Sequence, residues 1–219
     1  MTREGDNMLK IKSFHFFVCV IVAVGFFILS GCVGRSQPAR FYTLSPLSES
    51  QIQSKISGSA ADVAIGIRSV TLADYIDQFR IVTRSGDNRI DRAEFDLWSG
   101  SLKDNLTNVF AENIGYVLST DKVTIYPWRQ ATPLEYQIAV DIIRFDGQIN
   151  QEAVLVARWR VFNGEGKKLL VQKRSDIRER AGDSYEELVA AQSRALGQLS
   201  YEIAEAITVA KRQEPNNTK

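Results

Sequence analysis

Histidine and cysteine are nearly absent from this 219-residue chain, which holds one histidine, His15, and two cysteines, Cys19 and Cys32. Beyond residue 31 there is no histidine, and Cys32 is the single cysteine. Histidine is the usual side chain for moving protons near neutral pH. Its absence from the body of the chain excludes Ser-His-Asp and Cys-His catalysis, His-ligated zinc and His-ligated haem. One cysteine cannot close an intramolecular disulfide. An excess of charge is missing as well. Of 27 basic and 26 acidic side chains, Arg3, Lys10, Lys12, Glu4 and Asp6 fall in the first 31 residues, leaving 24 of each sign. That balance removes the basic surplus a general nucleic-acid binder needs, so no nucleic-acid partner is expected. Gly164 and Gly166 fit a turn and match no phosphate-binding loop. Asp87, Asn88 and Asp91 lack the ligand spacing and distal glutamate of an EF-hand calcium loop. Neither a cofactor nor a metal site is expected, and there is no internal repeat.

A membrane-spanning run is also missing. The longest apolar stretch, Phe14 to Leu29, has sixteen residues, short of the roughly 20 that span a bilayer. What is present is a basic flank at Lys10 and Lys12, this apolar stretch, and small residues at its end, the pattern of a secretory signal peptide. Met8 offers a cleaner start than Met1. The run closes on Leu29-Ser30-Gly31-Cys32, which resembles a bacterial lipobox. That resemblance implies cleavage between Gly31 and Cys32, thioether lipidation of Cys32 and acylation of the new amino terminus. Several acyl chains anchor stably where one is marginal. Val33 follows the cysteine where an aspartate commonly signals retention in the inner membrane, so sorting to the outer membrane is expected.

The expected organisation is a signal peptide (1–31), a lipidated tether (32–40), one domain (41–212) and a frayed tail (213–219). Phe41 to Leu44 reads as a short strand and residues 48–60 as a mobile loop. Val63, Ile65 and Ile67 alternate with other residues as in a strand. Residues 80–84 and 89–95 suggest two more, turning at 85–88. Leu102, Leu106, Val109, Phe110 and Ile114 share a helical face, with Ser99 as expected cap and Gly115 as expected stop. Residues 116–118 and 123–126 are short strand candidates. Alternation is clearest at Leu134, Tyr136, Ile138, Val140 and Ile142, and again at Ala153, Leu155, Ala157, Trp159 and Val161. A turn at 163–166 leads into a third strand near 168–180, whose alternating charges suit a solvated edge. Ser184 with Glu187 has capping-box spacing and opens a helix to about residue 211. The expected fold is a single α/β (α+β) domain with a largely antiparallel or mixed sheet and two helices on a face.

Three ordered stretches resemble the PqiC-like family of ABC-type transport auxiliary lipoproteins. The first is Arg40-Phe41-Tyr42-Thr43-Leu44-Ser45-Pro46. The second runs from Ala73-Asp74-Tyr75-Ile76-Asp77 through Ile81 to Arg84 and Leu97-Trp98 into the helix after it. The third runs from Val140-Asp141-Ile142 and Phe145-Asp146-Gly147 through Ala157-Arg158-Trp159 to Leu188-Val189-Ala190-Ala191. The segment Leu97-Trp98-Ser99-Gly100 departs from the family's Pro-Leu pair after the tryptophan, which leaves the cognate transporter open. The resemblance implies an outer-membrane lipoprotein facing the periplasm, without catalytic residues. It implies an MCE-type membrane-spanning partner, inner-membrane transporter components acting indirectly, phospholipid as a possible ligand and a homo-oligomeric ring. Phe41 and Tyr42, close behind the anchor, and Tyr75 and Trp98, among mixed polar and apolar neighbours, are the partner-interface candidates. Two rival readings are an assembly or plug lipoprotein for an outer-membrane β-barrel, and a hydrolase built on carboxylates or a Ser-Lys pair.

Overall fold

Alternating apolar residues make the centre of the fold. Tyr136, Ile138, Val140 and Ile142 lie buried on one face of strand β6 (Tyr136–Gly147), and Ala153, Leu155, Ala157, Trp159 and Val161 on the same face of β7 (Glu152–Asn163). These elements belong to a computed structural model that describes residues 37–48, 63–128 and 133–213. The remaining described elements are β1 (Arg40–Tyr42), β2 (Ile65–Leu72), β3 (Arg80–Arg84), β4 (Ile90–Trp98), α1 (Leu102–Leu118), β5 (Val123–Ile125), β8 (Leu169–Arg180) and α2 (Tyr185–Gln213). Ala39–Lys219 forms one compact unit, and every described core residue lies in it, from Leu44 to Ile207. This part of the chain therefore carries a core of its own.

The strands form two mixed sheets, ordered β1-β4-β3 and β5-β2-β6-β7-β8. In the larger sheet β5, β2 and β6 run parallel while β6, β7 and β8 are antiparallel hairpin neighbours. In the smaller one, β1 is parallel to β4 and β3 is antiparallel to it. The sequence suggested a single sheet. The division into two follows from β1 and β3, which pair only with β4.

Helix α2 lays Leu188, Leu196, Leu199, Ile203 and Ile207, all fully buried, on the core. Its start is the expected one. Ser184 Oγ accepts from Glu187 N–H at 3.2 Å, and the Glu187 carboxylate reaches back to Asp183 N–H at 2.7 Å. Helix α1 differs from expectation at both ends. Its cap is Ser101, whose hydroxyl accepts from Asp104 N–H at 3.2 Å. Ser99 lies too far ahead of the first helical residue, Leu102, to cap it, and its N–H donates to the Tyr42 carbonyl at 2.8 Å, continuing the β1–β4 ladder. Gly115 does not stop the helix; the left-handed residue is Ser119, with φ 54°. The glycine instead makes room for the returning chain, since a Cβ there would meet the Thr120 carbonyl oxygen at 3.0 Å. Residues 116–118 are thus helical and not a strand. The loop expected at 48–60, apart from Ser48, and the tail beyond Gln213 lie outside the described residues, as does Leu29 to Cys32. Gln213 itself still belongs to α2.

Candidate functional site

The residues that follow the expected tether enter the fold through β1. Its register pairs Arg40 with Asp96, Phe41 with Leu97 and Tyr42 with Trp98. Alternation points Arg40 and Tyr42 to one side, where both meet the Asp96 carboxylate. Arg40 engages it through two nitrogens at 2.8 and 2.9 Å, and the Tyr42 hydroxyl donates to it at 2.8 Å. Asp96 is only 3% exposed, so it holds both partners at the edge of the core. The arrangement leaves Phe41 on the opposite side, 65% exposed.

Beyond β1 the chain becomes a strap over both helices. Leu44 N–H donates to Asn105 Oδ1 at 2.8 Å, Ser45 N–H to Ser193 Oγ at 3.1 Å and Leu47 N–H to Asn113 Oδ1 at 2.8 Å. Leu44 and Leu47 are buried beneath the strap. Gly197 in mid-α2 is explained by this contact. A Cβ there would come within 2.5 Å of the Leu47 side chain, so a larger residue would have to displace Leu47, although a glycine costs a helix roughly 1 kcal/mol. Asn113 is fully buried, and its amide nitrogen has no partner among the described residues. Asn113→Ala is expected to strand the buried Leu47 N–H and cost about 1–3 kcal/mol of stability in chemical denaturation.

A groove of ≈ 810 Å³ runs between this strap and the first half of α2, with Arg40, Phe41, Pro46, Glu186, Val189 and Arg194 among its walls. It presents apolar surface with both charge signs at its edges, and the exposed Phe41 ring stands in its wall. Tyr42 also lines it. Trp98 does not: it is 4% exposed and packs in the core under β1. A ring buried to that extent offers a partner little surface. Phe79, 71% exposed just before β3, with its carbonyl accepting from Trp98 N–H, is a surface aromatic that the sequence reading missed. Its neighbours Gln78 and Arg80 carry no pattern that marks it.

Tyr75 lies elsewhere, in a node that joins the two sheets. The Asp146 carboxylate of β6 is wholly buried and accepts from Tyr75 OH at 2.9 Å, from Arg144 Nε at 2.8 Å, and from Arg84 Nε and Nη2 at 3.2 and 3.1 Å. The Arg84 guanidinium also sits 5.9 Å from the Tyr75 ring centre. Tyr75 is half-buried, with its hydroxyl committed to this bond. Sequence reading passed over Asp146 as chemistry. An acid inside a strongly alternating strand, one residue before Gly147, was the available signal.

Both tyrosines titrate late. Burial first, then the bond to Asp96, pushes Tyr42 up to about 12. Burial, then the charge of Asp146, does the same for Tyr75, again to about 12. The fold favours the neutral phenol in each case. Their contribution to stability is therefore complete below the ordinary tyrosine value of about 10 and is lost as pH rises through about 12. The thermal midpoint is expected to fall across that window, and the Tyr42→Phe and Tyr75→Phe variants to flatten the fall.

Among the described residues no cluster of His, Cys, Asp or Glu could hold a metal ion, and no helix is long and apolar enough to cross a membrane. Nothing in the groove sets a nucleophile beside a base. Comparison with known proteins supplies what the geometry leaves open. Residues 42–204 match the family described as the ABC-type transport auxiliary lipoprotein component. The chain belongs to that family. Membership implies a membrane-anchored bacterial lipoprotein that assists transport, and the matched span runs from β1 through most of α2. No curated protein matches the chain. Among solved structures, that of an uncharacterized protein aligns at TM-score 0.63 and 17% identity, covering 78% of this chain and 99% of the other. Protein XCC0632 from Xanthomonas campestris, of family DUF330, aligns at TM-score 0.63 and 14% identity, covering 80% and 98%. Both establish that this auxiliary-lipoprotein chain shares their fold. A PelC dodecamer from Paraburkholderia phytofirmans aligns at TM-score 0.40 and 9% identity, covering 68% and 94%, too remote to carry an argument.

Proposed function

We propose that this lipoprotein is the outer-membrane-anchored subunit of an MCE/ABC-type intermembrane lipid-transport system, where it receives the distal end of a periplasm-spanning MCE-type partner. Acyl chains on Cys32 hold it to the membrane, its domain faces the periplasm, and its role is docking without catalysis. In this reading copies of the chain assemble as a ring around the partner's end, and inner-membrane components act on it only through that partner.

The observation that carries the reading is the exposed Phe41 ring on a rigid base. Arg40 and Tyr42 on either side are fixed to Asp96, so Phe41 projects from an ordered strand into the wall of the groove. A pre-ordered aromatic beside a concave surface is the form that binding hot spots take, with arginines such as Arg40 and Arg194 nearby. Tyr42 completes this docking edge. Tyr75 contributes through the node that sets the smaller sheet against the larger, and Trp98 through packing under β1. Anchoring raises the local concentration of the domain, so each contact can be modest in strength.

The test is binding of the soluble 39–219 fragment to the periplasmic segment of the MCE-type protein. Phe41→Glu is expected to weaken it about tenfold or more, in the range of a hot-spot residue. Undiminished affinity in that variant removes the groove from the docking role.

A further inference from the structure

The face of the five-stranded sheet turned away from α2 carries an unbalanced charge pattern. Strand register sets Thr71, Asp141, Arg158 and Arg174 in one row across β2, β6, β7 and β8. Each carboxylate of this face is already engaged. Asp141 accepts from Thr71 Oγ1 at 2.8 Å and pairs with Arg160 at 2.8 Å; Asp146 holds Arg84 and Arg144; Glu152 and Asp176 both pair with Arg178. Arg158, Arg174 and Arg180 remain, Arg180 opposite Glu152 in the register, so that Arg158 and Arg174 are the facing pair of like charge. They stand directly opposite each other on adjacent antiparallel strands, both exposed, and neither is bonded to a carboxylate among the described residues. Like charges placed opposite in a sheet work against folding, so this pair costs stability as it stands. Two forked guanidiniums side by side are suited to an oxyanion whose oxygens reach both, a geometry that lysine would not provide.

We propose that Arg158 and Arg174 form a phosphate-binding site for the headgroups of an anionic phospholipid surface. The site lies on an open sheet face and not in a cavity. A single dissolved anion would be held weakly there, whereas a bilayer presents many phosphates to the pair at once, and each arginine near an anionic surface gains about 1 kcal/mol. The pair shares no residue with the strap groove, and the inference does not rest on docking of a protein partner.

Flotation of the 39–219 fragment with vesicles of phosphatidylcholine, with and without phosphatidylglycerol, reads the site directly. Binding is expected only with phosphatidylglycerol and is expected to weaken as salt rises. The double variant Arg158→Gln, Arg174→Gln is expected to lose about tenfold or more of that binding, from the same per-residue gain. Its thermal midpoint is expected to stay level or rise, because the repulsion is gone. A charge-matched control, Arg89→Gln just before β4 with Arg92→Gln within it, is expected to bind as the parent does. Three outcomes would overturn the assignment: no phosphatidylglycerol-dependent flotation, equal loss in both double variants, or binding that survives in the Arg158/Arg174 variant. Displacement of the fragment from vesicles by millimolar inorganic phosphate would overturn the membrane source, leaving a soluble phosphate as the ligand.

Discussion

Asp146→Ala is expected to lower the unfolding free energy by about 3–5 kcal/mol, the usual cost of breaking a buried ion pair by removing one partner. The size follows from what the carboxylate leaves behind. Arg84 and Arg144 both point at it, from β3 and from β6, and the Tyr75 hydroxyl is its third donor. Without the carboxylate two guanidiniums face each other across a space closed to solvent on the Asp146 side, and the phenol loses its acceptor. The loss extends beyond one strand. Arg84 belongs to the smaller sheet and Asp146 to the larger, so the node is where the two are fastened. Urea denaturation measures this directly; a variant within about 1 kcal/mol of the parent would mean that hydrophobic packing alone holds the sheets together.

The second large effect concerns the other end of the chain. Cys32→Ser is expected to abolish acylation entirely. Intact-mass measurement on the parent protein from membranes should give a chain beginning at Cys32 and carrying a diacylglycerol thioether and an amide-linked acyl group, while the variant should carry neither. Each buried methylene of such chains is worth about 0.8 kcal/mol, so the anchor is lost in full when the sulfur is replaced. An unmodified parent chain that retains residues 1–31 would contradict the lipobox reading. It would also remove the tethering on which the proposed docking by Phe41 relies.

These two cases show where sequence is informative and where it is not. Long alternating strands and the α2 stripe were legible because one-sided burial imposes a period on the residues themselves. Strand β3 falls at Arg80–Arg84 as its apolar centre suggested, and Ser184 caps α2 as its spacing with Glu187 suggested. Pairing partners were not legible. Nothing local in Arg40-Phe41-Tyr42 says that it runs parallel to β4, and nothing in Ser99 says that its N–H is taken by Tyr42. The helix cap moved two residues, to Ser101. Gly115 illustrates the same limit: a glycine near a helix end suggests a stop, yet here it clears space for the chain returning at Thr120.

The candidate site divides in the same way. Aromatic content drew attention to Phe41, Tyr42, Tyr75 and Trp98, but side-chain direction decides which of them meets solvent. One residue of offset in β1 separates the exposed Phe41 from Tyr42, which is tied to Asp96. Trp98 lies beneath β1 because its register partner is Tyr42 and its face is the core face. Asp96 and Asp146, which organise both places, stand among other charged residues of β4 and β6 that do not mark them out, and the tyrosines they hold come from 54 and 71 residues away in sequence.

In-cell photo-crosslinking from position 41, with position 98 as the buried control, tests the docking claim most directly. Mass spectrometry of the adducts is expected to find an MCE-type protein joined at Phe41 and no protein joined at Trp98. A β-barrel protein as the sole adduct, or no protein adduct at position 41, would contradict it.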